Sequence, residues 1–246
     1  VGTHALAAQE AGDVSSWSQF RSYITTGSHW TGNTGILYRL EQHVLLTIVA
    51  VAIAAAIALP IGLTLGHVGR GGTAAINVTN VGRAIPTFAV LTLLTLSPIG
   101  IGYKATTIAL VLFALPPLVT NSYIGMREVD PQARDAARGM GMSGWQLFRR
   151  VELPLSMPLL MAGFRIATVQ VVATATIAAL VGAGGLGRLV TDGLSSGNRG
   201  ELLTGAVVVA TLALIIELGL GLVQRRVDPL RRRRARERRK IAVTES

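Results

Sequence analysis

The sequence contains no cysteine. This excludes a disulfide framework, a thiolate metal site and thiol catalysis. Aromatic residues make up only 5% and charged residues only 15% of its 246 positions, whereas an average soluble domain carries about 25% charged residues. The apolar half of the composition is Ala, Leu, Val and Ile, gathered into runs of about 17 to 24 residues, each able to cross roughly 30 Å of hydrocarbon as a helix. No Ser/His/Asp set and no paired carboxylates occur in a plausible pocket, so no enzymatic centre is expected. His43 and His67 stand too far apart in pattern for a metal site. The first residues lack a basic stretch followed by an apolar core, so no signal peptide is expected.

These features predict an all-α, polytopic transmembrane bundle of about five spans. The spans fall near Val44–Leu65, Val81–Leu96, Thr106–Ile124, Met157–Leu180 and Leu202–Val223. Pro86 should kink the second, and Pro116-Pro117 lie within the third. Before them, residues 1–42 form a mixed external or interfacial segment, in which Ser16–Ile24 has the spacing of a short amphipathic helix. Thr31 to Gly35 reads as a turn. The transmembrane body covers 43–224, and 225–246 is a basic tail.

Charge sets the orientation. Ten of the 23 Lys and Arg lie between Arg225 and Lys240. Beside a span, such a cluster favours retention on the inner side and contact with anionic lipid over nucleic-acid binding. With the N-terminus outside and the C-terminus inside, 17 of the 23 basic residues fall on inner segments. Asp130–Pro154 is then cytoplasmic.

That stretch, DPQARDAARGMGMSGWQLFRRVELP, is a polar interruption in an apolar chain. Asp130-Pro131 is a helix start, with Asp as N-cap and Pro in the first turn. A helix should run to about Met140 with Ala133, Ala136, Ala137 and Met140 on a small-residue face, ending at Gly139 and Gly141. Ser143 and Gln146 have capping-box spacing, and open a second helix bearing Trp145, Leu147, Phe148 and Val151. Pro154 and Pro158 should end that helix and launch the next span. Two short helices meeting at a glycine turn, with Trp145 and Phe148 as apolar anchors, suit either a partner protein or the chain's own bundle.

Asp135-Ala136-Ala137, three residues, Gly141, nine residues, then Val151-Glu152-Leu153-Pro154 resembles the cytoplasmic signature of binding-protein-dependent ABC importer permeases. That signature reads Glu-Ala-Ala, three residues, Gly, nine residues, Ile-x-Leu-Pro, so this chain carries Asp for Glu and Val for Ile. Further patterns are similar to the osmoprotectant branch: Ile85-Pro86-Thr87-Phe88-Ala89, Gly100-Ile101-Gly102, Pro116-Pro117 with Asn121 to Gly125, Ala162-Gly163-Phe164-Arg165, and Gly182 to Gly187.

The resemblance implies a MetI-like, type I importer permease in the cell (inner) membrane. It implies that Asp135, Ala136, Ala137, Gly141, Trp145, Leu153 and Pro154 lie in a coupling helix seated on a separate ATPase subunit. ATP and magnesium would belong to that partner, with no cofactor on this chain. An external substrate-binding protein would deliver glycine betaine, choline, carnitine or proline betaine, and a second permease, identical or similar, would complete the pathway. An importer of another small solute, such as an amino acid or phosphonate, is the alternative. A membrane protein with a nucleic-acid-binding tail is a more distant one.

Other residues carry competing readings. Gly182–Gly187 lacks the strand and Lys-Ser/Thr of a phosphate loop and reads as a glycine turn. Arg165 and Glu217 lie about 11–12 Å from the inner ends of their spans at about 1.5 Å per residue. An ionisable group there costs at least about 2–3 kcal/mol unless paired or hydrated, so the two should pair or share a polar vestibule. Asn77, Asn80, Asn121 and Gln170 could line a pathway or bond between helices. All three Trp (Trp17, Trp30, Trp145) fall outside the spans, so an aromatic cage for a quaternary ammonium should lie on a separate receptor.

Overall fold

A computed structural model describes residues 16–72, 74, 76–77 and 86–228. The described chain is helical. The order is α1 (16–25), α2 (Ile36–Val68), α3 (Thr87–Leu96), α4 (Tyr103–Arg127), α5 (Pro131–Gly139), α6 (Gly144–Leu147), a π-helical turn (Phe148–Glu152), α7 (Leu153–Ala178), a 3₁₀ turn (Ala179–Val181), α8 (Gly187–Ser196) and α9 (Arg199–Val227). Among the described residues, four helical stretches are long and apolar enough to cross a membrane: Ile36–Val68, Tyr103–Arg127, Gly144–Val181 and Arg199–Val227.

The first, third, fourth and fifth expected spans correspond to these stretches, and each observed helix is longer than its apolar run. The 33 residues of α2 reach about 50 Å at 1.5 Å per residue, and so extend beyond the hydrocarbon. The second expected span falls partly on residues 81–85, outside the described residues, as do Asn80, residues 1–15 and the tail from 229 onward. Its described part is the ten-residue α3, about 15 Å long. Pro86 does not kink this helix. Its backbone is extended (φ −61°, ψ 127°) and it stands as the N-cap, where a missing N–H costs no intrahelical bond.

The chain forms two compact units, and each of the four long stretches contributes to both. In the first unit, Leu91, Ala109, Ala178 and Ala183 form one buried cluster. Ile36, Leu186 and Leu189 form another, covered by Tyr23, Trp30, Leu40, Val208, Val209 and Leu212. The Trp30 indole donates to the Ile24 carbonyl at 2.7 Å, which fixes α1 as more than a tail. The Gly182–Gly187 segment is a turn, with Gly182 and Gly185 at φ +79° and +90°. The Gly185 N–H donates to Gln42 Oε1 at 3.0 Å. His43 is fully buried. Its Nε2 lies 3.0 Å from the Val172 carbonyl; a carbonyl only accepts, so Nε2 carries the proton.

The second unit packs α2 on α4 through a small-residue seam. A Cβ on Gly62 would sit 1.8 Å from Ser122 Oγ, and one on Gly66 would sit 2.4 Å from Met126 Cβ. Glycines four apart let two helix backbones approach within a membrane, where packing rather than water exclusion drives association. The α4–α7 contact is built similarly, with Gly163 against Asn121. Gln224 of α9 donates to the Pro158 carbonyl of α7 at 2.9 Å. Replacing Gly62 by Val should overpack the seam at a cost of about 1–3 kcal/mol. The expected outcome is a lower thermal midpoint and less monodisperse protein in detergent; unchanged midpoint and yield would contradict the close approach.

Candidate functional site

The polar hairpin folds from local signals. The Asp130 carboxylate accepts the Gln132 N–H at 2.9 Å, and Pro131 occupies the first turn of α5. At the other end, the Gly141 N–H donates to the Arg138 carbonyl and the Met142 N–H to the Ala137 carbonyl. This 6→1, 5→2 pair is a Schellman stop, which places its C′ residue in the left-handed region. Gly141 has φ +78°, so a glycine at this place in the signature has a backbone reason. Ser143 and Gln146 form a reciprocal capping box, with Ser143 N–H to Gln146 Oε1 at 2.9 Å.

Beyond α6 the helix does not stop at Pro154 or Pro158. It continues from Gly144 to Val181. The π-helical turn at Phe148–Glu152 is the reason: Leu153 N–H reaches back five residues to the Phe148 carbonyl. The wider turn precedes the proline, whose ring would otherwise crowd the preceding turn of an α-helix. The second helix of the hairpin and the span after it are thus one continuous helix.

The signature residues divide into two sets. Asp135, Ala136, Met140, Trp145 and Pro154 are exposed, with Met140 at 71% and Trp145 at 66%. Trp145 stacks on Phe148 with ring centroids 5.4 Å apart. Ala137 is buried and Ala133 and Leu153 are half-buried, so these support the hairpin from inside. The four expected positions share one side of α5, being three or four residues apart, with Ala133 and Ala137 at its inward edge and Ala136 and Met140 at its exposed edge.

Beneath the exposed set lies a buried ionic cluster that the sequence reading missed. The Glu152 side chain is 1% exposed, with Oε2 2.5 Å from His67 Nδ1 and Oε1 3.2 Å from Arg134 Nε. Another guanidinium nitrogen of Arg134 donates to the Met126 carbonyl at the end of α4. His67, in the last turn of α2, lies edge-on to Phe148 at 5.5 Å. One carboxylate thus joins the ends of α2 and α4 to the base of the hairpin. The available sequence signal was an acidic residue four places after Phe148 and three before Leu155, among apolar neighbours. A buried charge is retained only if paired and hydrogen-bonded.

Arg165 and Glu217 come together, with Arg165 Nε 3.2 Å from Glu217 Oε1 and side chains 32% and 40% exposed. Asn121 donates to the Pro117 carbonyl of its own helix at 2.8 Å, so its amide bonds within α4 rather than across helices. Gln170 is half-buried on α7, away from the hairpin residues in sequence, and Asn77 is exposed. Among the described residues no group of three or more His, Asp or Glu could hold a metal.

The described residues form a helical chain with four stretches long and apolar enough to span a membrane and a capped polar hairpin between two of them. Comparison with known proteins gives the family. A family model described as binding-protein-dependent transport system inner membrane component matches residues 58–233, and the chain belongs to that family. It is similar to a carnitine transport permease protein of Listeria monocytogenes, 38% identical over 82% of this chain and 92% of the relative. It is also similar to a glycine betaine/carnitine/choline transport system permease protein of Bacillus subtilis, 32% identical over 81% and 91%. An osmoprotectant import permease protein of Salmonella typhimurium is 36% identical over 79% and 83%. Among solved structures, a methionine ABC transporter in an inward-facing conformation superposes with TM-score 0.67 at 24% identity, over 78% of this chain and 95% of that one; this likeness shows the fold. The chain is thus a membrane-embedded transport permease component and not itself an enzyme.

The two kinds of ion pair should respond differently to truncation. Arg134→Ala strands the buried Glu152 carboxylate and should cost about 3–5 kcal/mol. Arg138→Ala removes an exposed partner of Asp135, 3.7 Å away, and should cost less than about 1 kcal/mol. Thermal unfolding of the two variants in detergent checks this; equal midpoints would contradict the burial contrast.

Proposed function

We propose that this chain is the permease subunit of an ABC importer for a compatible solute of the quaternary-ammonium type, such as glycine betaine, carnitine or choline. Its hairpin, Asp130–Pro154, would be the coupling element on which a cytoplasmic ATPase subunit docks. The observation that carries the reading is the exposed row Asp135, Met140 and Trp145 on a hairpin that is capped at both helix starts and continuous with α7. An exposed Trp and Met on a rigid polar loop are typical anchors for a protein partner. Similarity to three permeases named for osmoprotectant or carnitine transport, each over about four-fifths of this chain, supports the solute class.

The mechanism divides the labour. ATP and magnesium are held by the ATPase, which supplies the free energy. The hairpin moves with the ATPase surface, and because it runs without a break into α7, its displacement is delivered to a membrane helix. A second permease copy, identical or similar, encloses the pathway, and an external receptor delivers solute. With Trp17, Trp30 and Trp145 all outside the spans, solute selectivity rests on that receptor. The Arg165–Glu217 pair is a polar feature on the inner stretch of α7 and α9, suited to a hydrated vestibule.

The test is uptake of labelled glycine betaine, carnitine and choline by proteoliposomes holding permease, ATPase and receptor. Gly141→Trp places a large side chain at a left-handed φ of +78° and on the docking side. It should reduce ATP-coupled uptake at least tenfold. Normal assembly and uptake in this variant, or wild-type uptake of none of the three solutes, would contradict the coupling or the solute assignment respectively.

A further inference from the structure

The coupling reading leaves a mechanical question. A hairpin continuous with α7 can push that helix, but a change of access requires the other helices to follow. On this reading of the hairpin, the geometry points to His67 as the positioning residue that transmits hairpin movement to α2, acting through Glu152 on one side of its ring and Phe148 on the other.

Three observations carry the inference. First, His67 contacts both layers of the hairpin described above. Its Nδ1 lies 2.5 Å from Glu152 Oε2, and its ring packs edge-on to Phe148 at 5.5 Å. Phe148 in turn stacks on Trp145, the exposed anchor. A continuous run of contacts leads from the docking surface to the end of α2.

Second, the contacts sit at the last turn of α2, immediately before a break. Gly69 and Gly71 both adopt positive φ, +75° and +76°. The helix ends here, and His67 gives its last turn a polar hold on the hairpin. Third, α2 is closely seated on α4 at Gly62 and Gly66, so whatever displaces the end of α2 displaces a packed helix pair. Arg134 adds a parallel hold on α4 through the Met126 carbonyl, sharing the same carboxylate.

Glu152 makes this arrangement stiff. A carboxylate almost entirely removed from solvent cannot exchange a protein partner for water without large cost, so the hairpin and the end of α2 move together. A surface pair in the same place would slip. Coupling through packed side chains is established by energetic coupling between them rather than by adjacency, which defines the experiment.

The experiment measures solute transported per ATP hydrolysed in the reconstituted full complex, using labelled glycine betaine, carnitine and choline as probes. His67→Phe keeps a ring against Phe148 and removes the bond to Glu152. It should co-purify with the ATPase and still hydrolyse ATP, while solute per ATP falls at least tenfold. Glu152→Gln keeps the shape and an acceptor oxygen toward His67, and should fall only about two- to threefold. The double variant should be no worse than His67→Phe, since both changes act on the same link. A ratio for His67→Phe within twofold of wild type overturns the proposal. So does loss of ATPase co-purification in both single variants, which would make the cluster a folding element alone. If wild-type permease itself neither binds an ATPase nor transports these solutes, the coupling reading fails before the variants are compared.

Discussion

The inner part of this fold depends on one buried carboxylate. Glu152 is removed from solvent and held by His67 and Arg134, which come from α2 and from α5. Its position in the π-helical turn ties both to the start of α7, and Arg134 extends the hold to the last turn of α4. In an apolar bundle, helices gain little from water exclusion and associate through close packing and hydrogen bonds. A paired buried charge adds a constraint of a different kind. It is weak evidence of stability in itself, but removing either partner leaves an uncompensated charge. The cluster therefore acts as a register, specifying which turn of each helix meets the hairpin.

The second ion pair illustrates the contrast. Arg165 and Glu217 stand at a similar separation, yet both side chains are substantially exposed within the isolated chain. Such a pair can open to water or to a solute, and its contribution to folding is small. The chain thus places a buried pair beneath the exposed face of its hairpin and a more exposed one farther along α7 and α9. The apolar side chains of α9, with Leu214, Ile215, Leu218 and Leu222 exposed, fit a helix facing lipid or a second permease rather than the chain's own core.

The legibility of these features followed their range in sequence. Asp130-Pro131, Ser143 with Gln146, and Gly141 could all be read in advance, because capping is settled by atoms a few residues apart. The long spans were legible because hydrocarbon thickness imposes a length on apolar runs. Glu152 was not, since its meaning depends on His67 and Arg134, 85 and 18 positions away. Pro154 was misread as a stop because a proline ends an α-helix, whereas a π-helical turn just before it lets the chain continue. Pro86 was misread in the opposite sense, as a kink inside a helix that it in fact begins. The small-residue face of α5 was legible from its spacing, but which edge of it turns inward, that of Ala133 and Ala137 rather than that of Ala136 and Met140, depends on the packed neighbours.

The central claim is that the exposed face of the hairpin meets an ATPase on the cytoplasmic side. The absence of cysteine permits a direct measurement. In Met140→Cys the introduced thiol is the sole one in the chain, and a short bifunctional maleimide can join it to a partner in membranes containing the whole complex. The account predicts a cross-link to the ATPase subunit, and protection of the thiol from a membrane-impermeant reagent added to intact cells. Labelling from outside, or a thiol that never cross-links to the ATPase in an assembled complex, would contradict it.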